Sequence, residues 1–429
     1  MMTLTFARPF RAAALAGAGA LALAACSSAV GDTPEDGGTV DGSSISISVP
    51  ATEAGVNPHV EFAERYMAEF PDRTVEVVEL PGDGYANSTR TQLQAGNAAD
   101  LIYVTPGAGN PQSLLPFAEA GFLESLSGTS AESTVPASSA ALFGSDGEIY
   151  AQGLDLTVIA SVANDTAMAA AGYALPDDFG ALLASCADVQ ADDASVYVIA
   201  GTAVPNTGLL GISLAGARVY AEDPDWNMRR AAGEVTFADT AAWHDTLEAV
   251  IELQEAGCFQ DGAEGGDFGT ITVGLGQGTS YAAFIPSGAA EQLATETGSE
   301  FSLHALPGAT AESTTVYASV NNALALTSGS KNKAAALAFL DWMAQPENLA
   351  AYGETSGNLP VGDLDPADLP AAYAPIADFI AEADYLPLPN QSWSSGEVYN
   401  ALGAGIQGLL TGQTTVEDVL AAMDAAWDK

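Results

Sequence analysis

Between residues 44 and 104 the chain switches repeatedly between a period of two and a helical period. That alternation restricts the fold more than any other feature. Ile45-Ser46-Ile47-Ser48-Val49 alternates apolar and polar side chains, as a strand does. Asn57-Pro58 then opens a helix, with Pro at the first position, where no backbone N–H is needed. Phe62, Tyr66, Met67 and Phe70 make its apolar face, and Pro71 ends it. Val75 to Leu80 predicts a second strand, Thr89 to Ala95 a helix closed at Gly96-Asn97, and Leu101 to Val104 a third strand. Strands joined through helices give a parallel sheet covered by helices, the α/β class.

The pattern resumes further on. Strands are expected at Leu156 to Val162, Val196 to Ala200, Tyr281 to Ile285, Phe301 to Leu306 and Ala323 to Leu326. Helices are expected at Gln112 to Ala120, Thr166 to Ala171, from Pro176 to about Val189, from Asp239 to Gly257, and at Lys331 to Met343. In the last of these, Ala336, Phe339, Leu340 and Met343 are spaced i, i+3, i+4, i+7 as a core-facing set. The Gly-rich stretches at 262–269 and 274–278, and Pro286-Ser287-Gly288, read as turns. A final helix is expected from the capping sequence Thr414-Thr415-Val416-Glu417 to Trp427.

The N-terminus sets the compartment. Arg8 and Arg11 precede an unbroken run of Ala, Leu and Gly over residues 12–25. That run is too short to span a bilayer, which takes roughly 20 residues. A positive start, a short apolar middle and small residues before a cut site make a secretory signal peptide, expected at 1–25. Its end, Leu23-Ala24-Ala25-Cys26, resembles a bacterial lipobox, which implies cleavage before Cys26 and lipid on its thiol. Residues 26–43, small, acidic and Gly-rich, read as a flexible tether to the membrane. Outside the membrane a disulfide is permitted. Cys186 and Cys258 are then either bridged or two free buried thiols, since spacing alone does not set their distance.

Charge and motifs exclude several classes. The chain has 55 Asp+Glu against 11 Lys+Arg, for a net charge of −44. That excludes nucleic acid as a partner, because phosphate backbones need clustered cations. His59, His244 and His304 show no metal-ligand spacing. No Gly-x-Ser-x-Gly elbow lies between strand and helix, and the Gly-rich stretches lack the Lys-Ser/Thr of a phosphate loop. No cofactor or metal is expected.

Several segments, in order, resemble the bacterial extracellular solute-binding proteins, family 1, the sugar-binding components of ABC importers. They are Gln92 to Leu101, Glu148 to Asp155 with Asn164-Asp165, Pro176 to Leu183, Ser330 to Leu340, Gly357-Asn358-Leu359-Pro360-Val361 and Leu409 to Thr415. Departures include Ala99 for the family's usual Pro and Phe179 for its Trp. The resemblance covers roughly residues 44–429. It implies a two-lobed, periplasmic-binding-protein-like α/β fold with a ligand cleft between the lobes and a hinge of several segments. Lobe one would comprise 44–155 and 307–343, and lobe two 156–306 and 344–429. It also implies an extracellular, lipid-anchored monomer that performs no chemistry, binds a carbohydrate and hands it to an ABC permease.

A sugar presents C–H faces to aromatic rings and hydroxyls to carboxylates and amides. Trp393, alone in the polar stretch Asn390 to Gly396, is the first candidate for stacking, and Trp226 a second. Asp155, at the first crossover, is a hydroxyl acceptor or else a turn carboxylate. Glu53 follows the first strand, Asn322 follows Asn321 before a strand, and Tyr85 and Ser287 are loop candidates. Trp243, Trp342 and Trp427 lie at core-like spacing. Competing readings are a lipid-anchored hydrolase such as a glycosidase, an adhesive surface lipoprotein, and, within the binding class, a peptide or polyamine ligand.

Overall fold

The computed structural model describes residues 43–51, 57–136, 139–145, 147–361 and 369–429. The leader, Cys26, nearly all of the tether and Glu53 lie outside these residues.

β1 (Ser44–Pro50) is flanked by parallel β2 (Thr74–Leu80) and β3 (Leu101–Val104). Helix α1 (Pro58–Glu69) connects β1 to β2, and α2 (Gly82–Ala95) connects β2 to β3. Asn57 caps α1 by accepting the His59 N–H at 3.1 Å, worth about 1 kcal/mol. Phe62 and Tyr66, one turn apart, are buried, whereas Phe70 at the end of the predicted face is exposed. α3 (Leu114–Glu119) and the short α4 (Ala140–Phe143) follow, then a small hairpin of β4 (Gly144–Ser145) and β5 (Glu148–Ile149).

β6 (Gln152–Asn164) organises the molecule. Its 13 residues are all buried, since sheet neighbours flank it on both edges and packed cores cover it. Four helices and a strand follow it: α5 (Asp165–Ala171), α6 (Phe179–Ala191), β7 (Ser195–Tyr197), α7 (Val204–Ala215) and α8 (Trp226–Ala231). Next come α9 (Ala241–Glu255), α10 (Phe268–Gln277), β8 (Ser280–Pro286), α11 (Gly288–Thr297), β9 (Phe301–His304) and β10 (Tyr317–Leu326). The C-terminal part holds α12 (Lys333–Met343), α13 (Pro346–Ser356), β11 (Leu359–Pro360), α14 (Ala377–Ala381), α15 (Gly396–Leu410) and α16 (Val416–Trp427). Among the described residues no helix is long and apolar enough to cross a membrane.

Nine strands form one sheet in the order β2-β1-β3-β10-β6-β8-β7, with β9 and β11 also on β6. β10 runs antiparallel to both β3 and β6, and so stitches the N-terminal strands to the rest. One core gathers Phe62, Tyr66, Phe339 and Trp342 against β1; another gathers Trp226, Trp243, Trp393 and Trp427 around α9, α15 and α16. Each fully buried side chain of this size contributes roughly 1.5–3 kcal/mol by leaving water. α13 packs on α1, its Tyr352 ring 5.3 Å from that of Phe62.

Two sequence expectations change in detail. Residues 268–277 are helical rather than a turn, because Asp267 and Thr270 form a reciprocal cap and Ile271 and Leu275 are buried one turn apart. The last helix is capped one residue later, by Thr415 with Asp418. Ser287 forms the expected turn, a single residue between β8 and the start of α11. Cys186 on α6 and Cys258 after α9 are disulfide-bonded across 72 residues.

Candidate binding site

Where β6 and β10 cross, the ladder slips twice. Val320 pairs with Leu156, Asn322 with Asp155 and Ala323 with Gly153. Asn321 is therefore extra on one strand and Leu154 on the other, two offset bulges of the kind that re-aim side chains. Here they turn Asn322 and Asp155 toward each other. Asn322 Nδ2 lies 2.8 Å from each carboxylate oxygen.

A chain of hydrogen bonds grows from that pair. The Tyr103 hydroxyl, on β3, donates to Asn322 Oδ1 at 3.0 Å. Asn358 Nδ2, in the turn between α13 and β11, donates to Asp155 at 3.0 Å. Ser287 Oγ donates to Asn358 Oδ1 at 2.8 Å and accepts the Val158 N–H at 3.1 Å. One polar chain thus links β3, β10, β6, the α13–β11 turn and the start of α11. The last link needs two backbones in contact. A Cβ on Gly357, which has φ +69°, would lie 2.9 Å from Gly288 Cα, so only glycine fits there.

Asp155 is fully buried, and burial raises its carboxyl above the usual carboxylate range, against the pull of the Asn358 and Asn322 hydrogen bonds. No ion pair reaches it among the described residues. Burial also pushes up the Tyr103 and Tyr352 phenols, with the Asp155 charge adding to it. His59, whose Nε2 lies 3.2 Å from the Tyr352 hydroxyl, is held down to about 4 by burial, so it is neutral at physiological pH.

Beside this chain opens a cavity of about 710 Å³. Ser287, Ala290 and Glu291 line it from α11 and its cap, Gly353, Glu354 and Asn358 from α13 and the turn after it, and Pro370 and Tyr373 from the segment before α14. Ser287 and Asn358 belong to both the cavity wall and the polar chain. The volume suits a small ligand held by a few convergent polar groups.

Of the residues the sequence nominated, Asp155, Asn322 and Ser287 meet here. Tyr85 stands one step back. It is buried on α2, its hydroxyl 2.9 Å from the carbonyl oxygens of Ser48 and Tyr103, and it fixes the ends of β1 and β3. The two stacking candidates are not at the site. Trp393 is 1% exposed, donates from Nε1 to the Tyr220 hydroxyl at 3.2 Å and packs edge-on to Phe237. Trp226 is equally buried and donates to Thr240 Oγ1 at 3.1 Å. Rings covered on both faces by protein have none left for a sugar. Asn358, Tyr103 and Tyr373 were not nominated by sequence. The only signal for Asn358 was a polar residue between a helix-ending glycine and an apolar strand. Among the described residues no group of His, Cys, Asp and Glu could hold a metal ion.

The profile of the bacterial extracellular solute-binding proteins matches residues 61–363. The chain belongs to this family. No curated protein matches it in sequence. Among solved structures, a protein from work on xylan utilization by the thermophilic bacterium Caldanaerobius polysaccharolyticus superposes with a TM-score of 0.76 at 17% identity, covering 89% of this chain and 99% of that one. The solute-binding protein RafE in complex with raffinose gives 0.74 at 17%, covering 90% and 98%. A chitin oligosaccharide binding protein gives 0.73 at 19%, covering 89% and 98%. The fold is thus the two-lobed α/β architecture of solute-binding proteins.

Proposed function

We propose that the protein is the extracellular binding component of an ABC importer, which captures a carbohydrate by hinge closure and releases it unchanged to the permease. The observation that carries this reading is the polar chain from Tyr103 to Ser287 at the strand crossing, joined to a cavity at Ser287 and Asn358. Amides and hydroxyls on rigid elements suit a polyol, and the elements they connect move against one another when two lobes close. Family membership and the carbohydrate ligands named for similar folds support the ligand class. The monomer is held at the outer membrane face by lipid on Cys26, behind a leader at 1–25 and a tether at 26–43. Lobe one comprises 44–155 and 307–343 together with α13, and lobe two 156–306 and the remaining C-terminal residues. The family match favours binding over the hydrolase reading, and Asp155 is held by the amides of Asn322 and Asn358.

The test is a thermal-shift screen of the purified chain with mono- and oligosaccharides. A true ligand at about 100 times Kd adds about 2.7 kcal/mol. Turnover of any sugar that shifts the transition, or no shift with any solute, overturns the reading. Mass spectrometry of the protein from its native membrane tests the anchor: Cys26 found bare or still preceded by its leader removes that part.

A further inference from the structure

The walls of the cavity carry charge of one sign. Glu291 on α11 and Glu354 on α13 both line it, and among the described residues no Lys, Arg or His does. Behind Asn358 lies Asp155, a fully buried carboxyl that receives amide hydrogen bonds from two side chains and meets no cation among the described residues. The remaining polar wall, Ser287 Oγ and Asn358, suits hydroxyl and N–H groups.

We propose that the solute bound here is an aminated carbohydrate, with a protonated amine set between Glu291 and Glu354 and hydroxyls against Ser287 and Asn358. This rests on the carbohydrate reading above and narrows it. An ammonium brings three donors and no acceptor, which matches walls rich in acceptors and poor in cations. The attraction at the cavity mouth is exposed to solvent, so salt weakens it.

The experiment is calorimetry on the full chain with matched pairs: glucosamine against N-acetylglucosamine, and chitosan oligosaccharides against chitin oligosaccharides, in low and high salt. The amine member of a pair should bind about tenfold tighter or better, a difference of about 1.4 kcal/mol, and lose most of that advantage in high salt. The double variant Glu291→Gln/Glu354→Gln changes two exposed side chains and should keep the wild-type unfolding midpoint while the preference collapses. Acetylated members binding as tightly as amines would overturn the amine inference and leave carbohydrate binding intact. Preference unchanged in the double variant would overturn the assignment to these walls. No binding in either series counts against the carbohydrate reading itself.

Discussion

Asn322 and Asp155 face each other from offset bulges on adjacent strands, with one amide nitrogen 2.8 Å from both carboxylate oxygens. The pair sits where the two long strands β6 and β10 cross, so its protonation state and the stability of the crossing are linked.

The sign of that linkage follows from burial. The Asp155 carboxyl is raised above its ordinary range, so the folded chain keeps a proton that the unfolded chain has already released. Its contribution to stability is complete below the ordinary carboxylate range and is lost as pH rises through the raised one. Asp155→Asn removes this dependence. The melting temperature of the variant relative to wild type should therefore improve as pH rises from the ordinary carboxylate range through the raised one. Parallel melting curves for the two proteins across that range would show that Asp155 titrates as an ordinary carboxyl.

Asn358 ties the crossing to the cavity, and its loss should be felt in both. Asn358→Ala leaves Ser287 Oγ without its acceptor and Asp155 without one donor, at a cost of about 1–3 kcal/mol in stability. Affinity for the captured solute should fall about tenfold or more. Asn321, whose Oδ1 lies 3.4 Å from Gln391 Nε2 instead, is the control. Asn321→Ala should leave affinity within a few-fold of wild type. Equal losses in the two variants, measured by calorimetry, would separate the cavity from ligand binding.

The same residues show what a linear sequence reveals of such a site. Asp155, Asn322 and Ser287 were legible because each is a polar residue beside an apolar strand, where a cleft opens in α/β sheets. Asn358 was not, because its role depends on β11 lying against β6, a partnership across 203 residues. Trp393 misled for a matching reason. Its sequence neighbours are polar, but its cover comes from Phe237 and Trp243 on segments about 150 residues away. The helix at 268–277 was hidden by its glycines. Gly274 is there for close approach, since a Cβ would meet Ser280 Oγ at 3.1 Å and Val198 Cγ2 at 3.3 Å. Local pattern identified the β-α-β-α-β start of the chain well, because those contacts are between near neighbours in sequence.

The disulfide makes a separate prediction about stability. Cys186 on α6 and Cys258 after α9 close 72 residues, and both are buried. Tying a loop of that length restricts the unfolded chain by about 4 kcal/mol in the chain-entropy account. The double variant Cys186→Ser/Cys258→Ser should lose stability of that order in urea unfolding at pH 7. Reducing agent should lower the midpoint of wild type but not of the variant. A variant as stable as wild type would mean that the cross-link restrains little that the core does not already hold.

Trp393 gives the clearest contrast between a packing role and a binding role. Its ring lies 5.9 Å from Phe237, 6.2 Å from Trp243 and 6.4 Å from Tyr399, and its Nε1 donates to a Tyr220 hydroxyl that burial keeps protonated. Removing it opens a cavity in an aromatic core and leaves that hydroxyl short of a donor. Trp393→Ala should therefore cost about 3–5 kcal/mol in unfolding free energy. Trp393→Phe keeps most of the volume and should cost less, with affinity for the captured solute unchanged in whatever fraction is folded. A Trp393→Phe protein of wild-type stability that has lost its ligand would instead make this ring a stacking platform, and would place the sugar-facing surface on the segment Asn390 to Gly396 rather than at the crossing of β6 and β10.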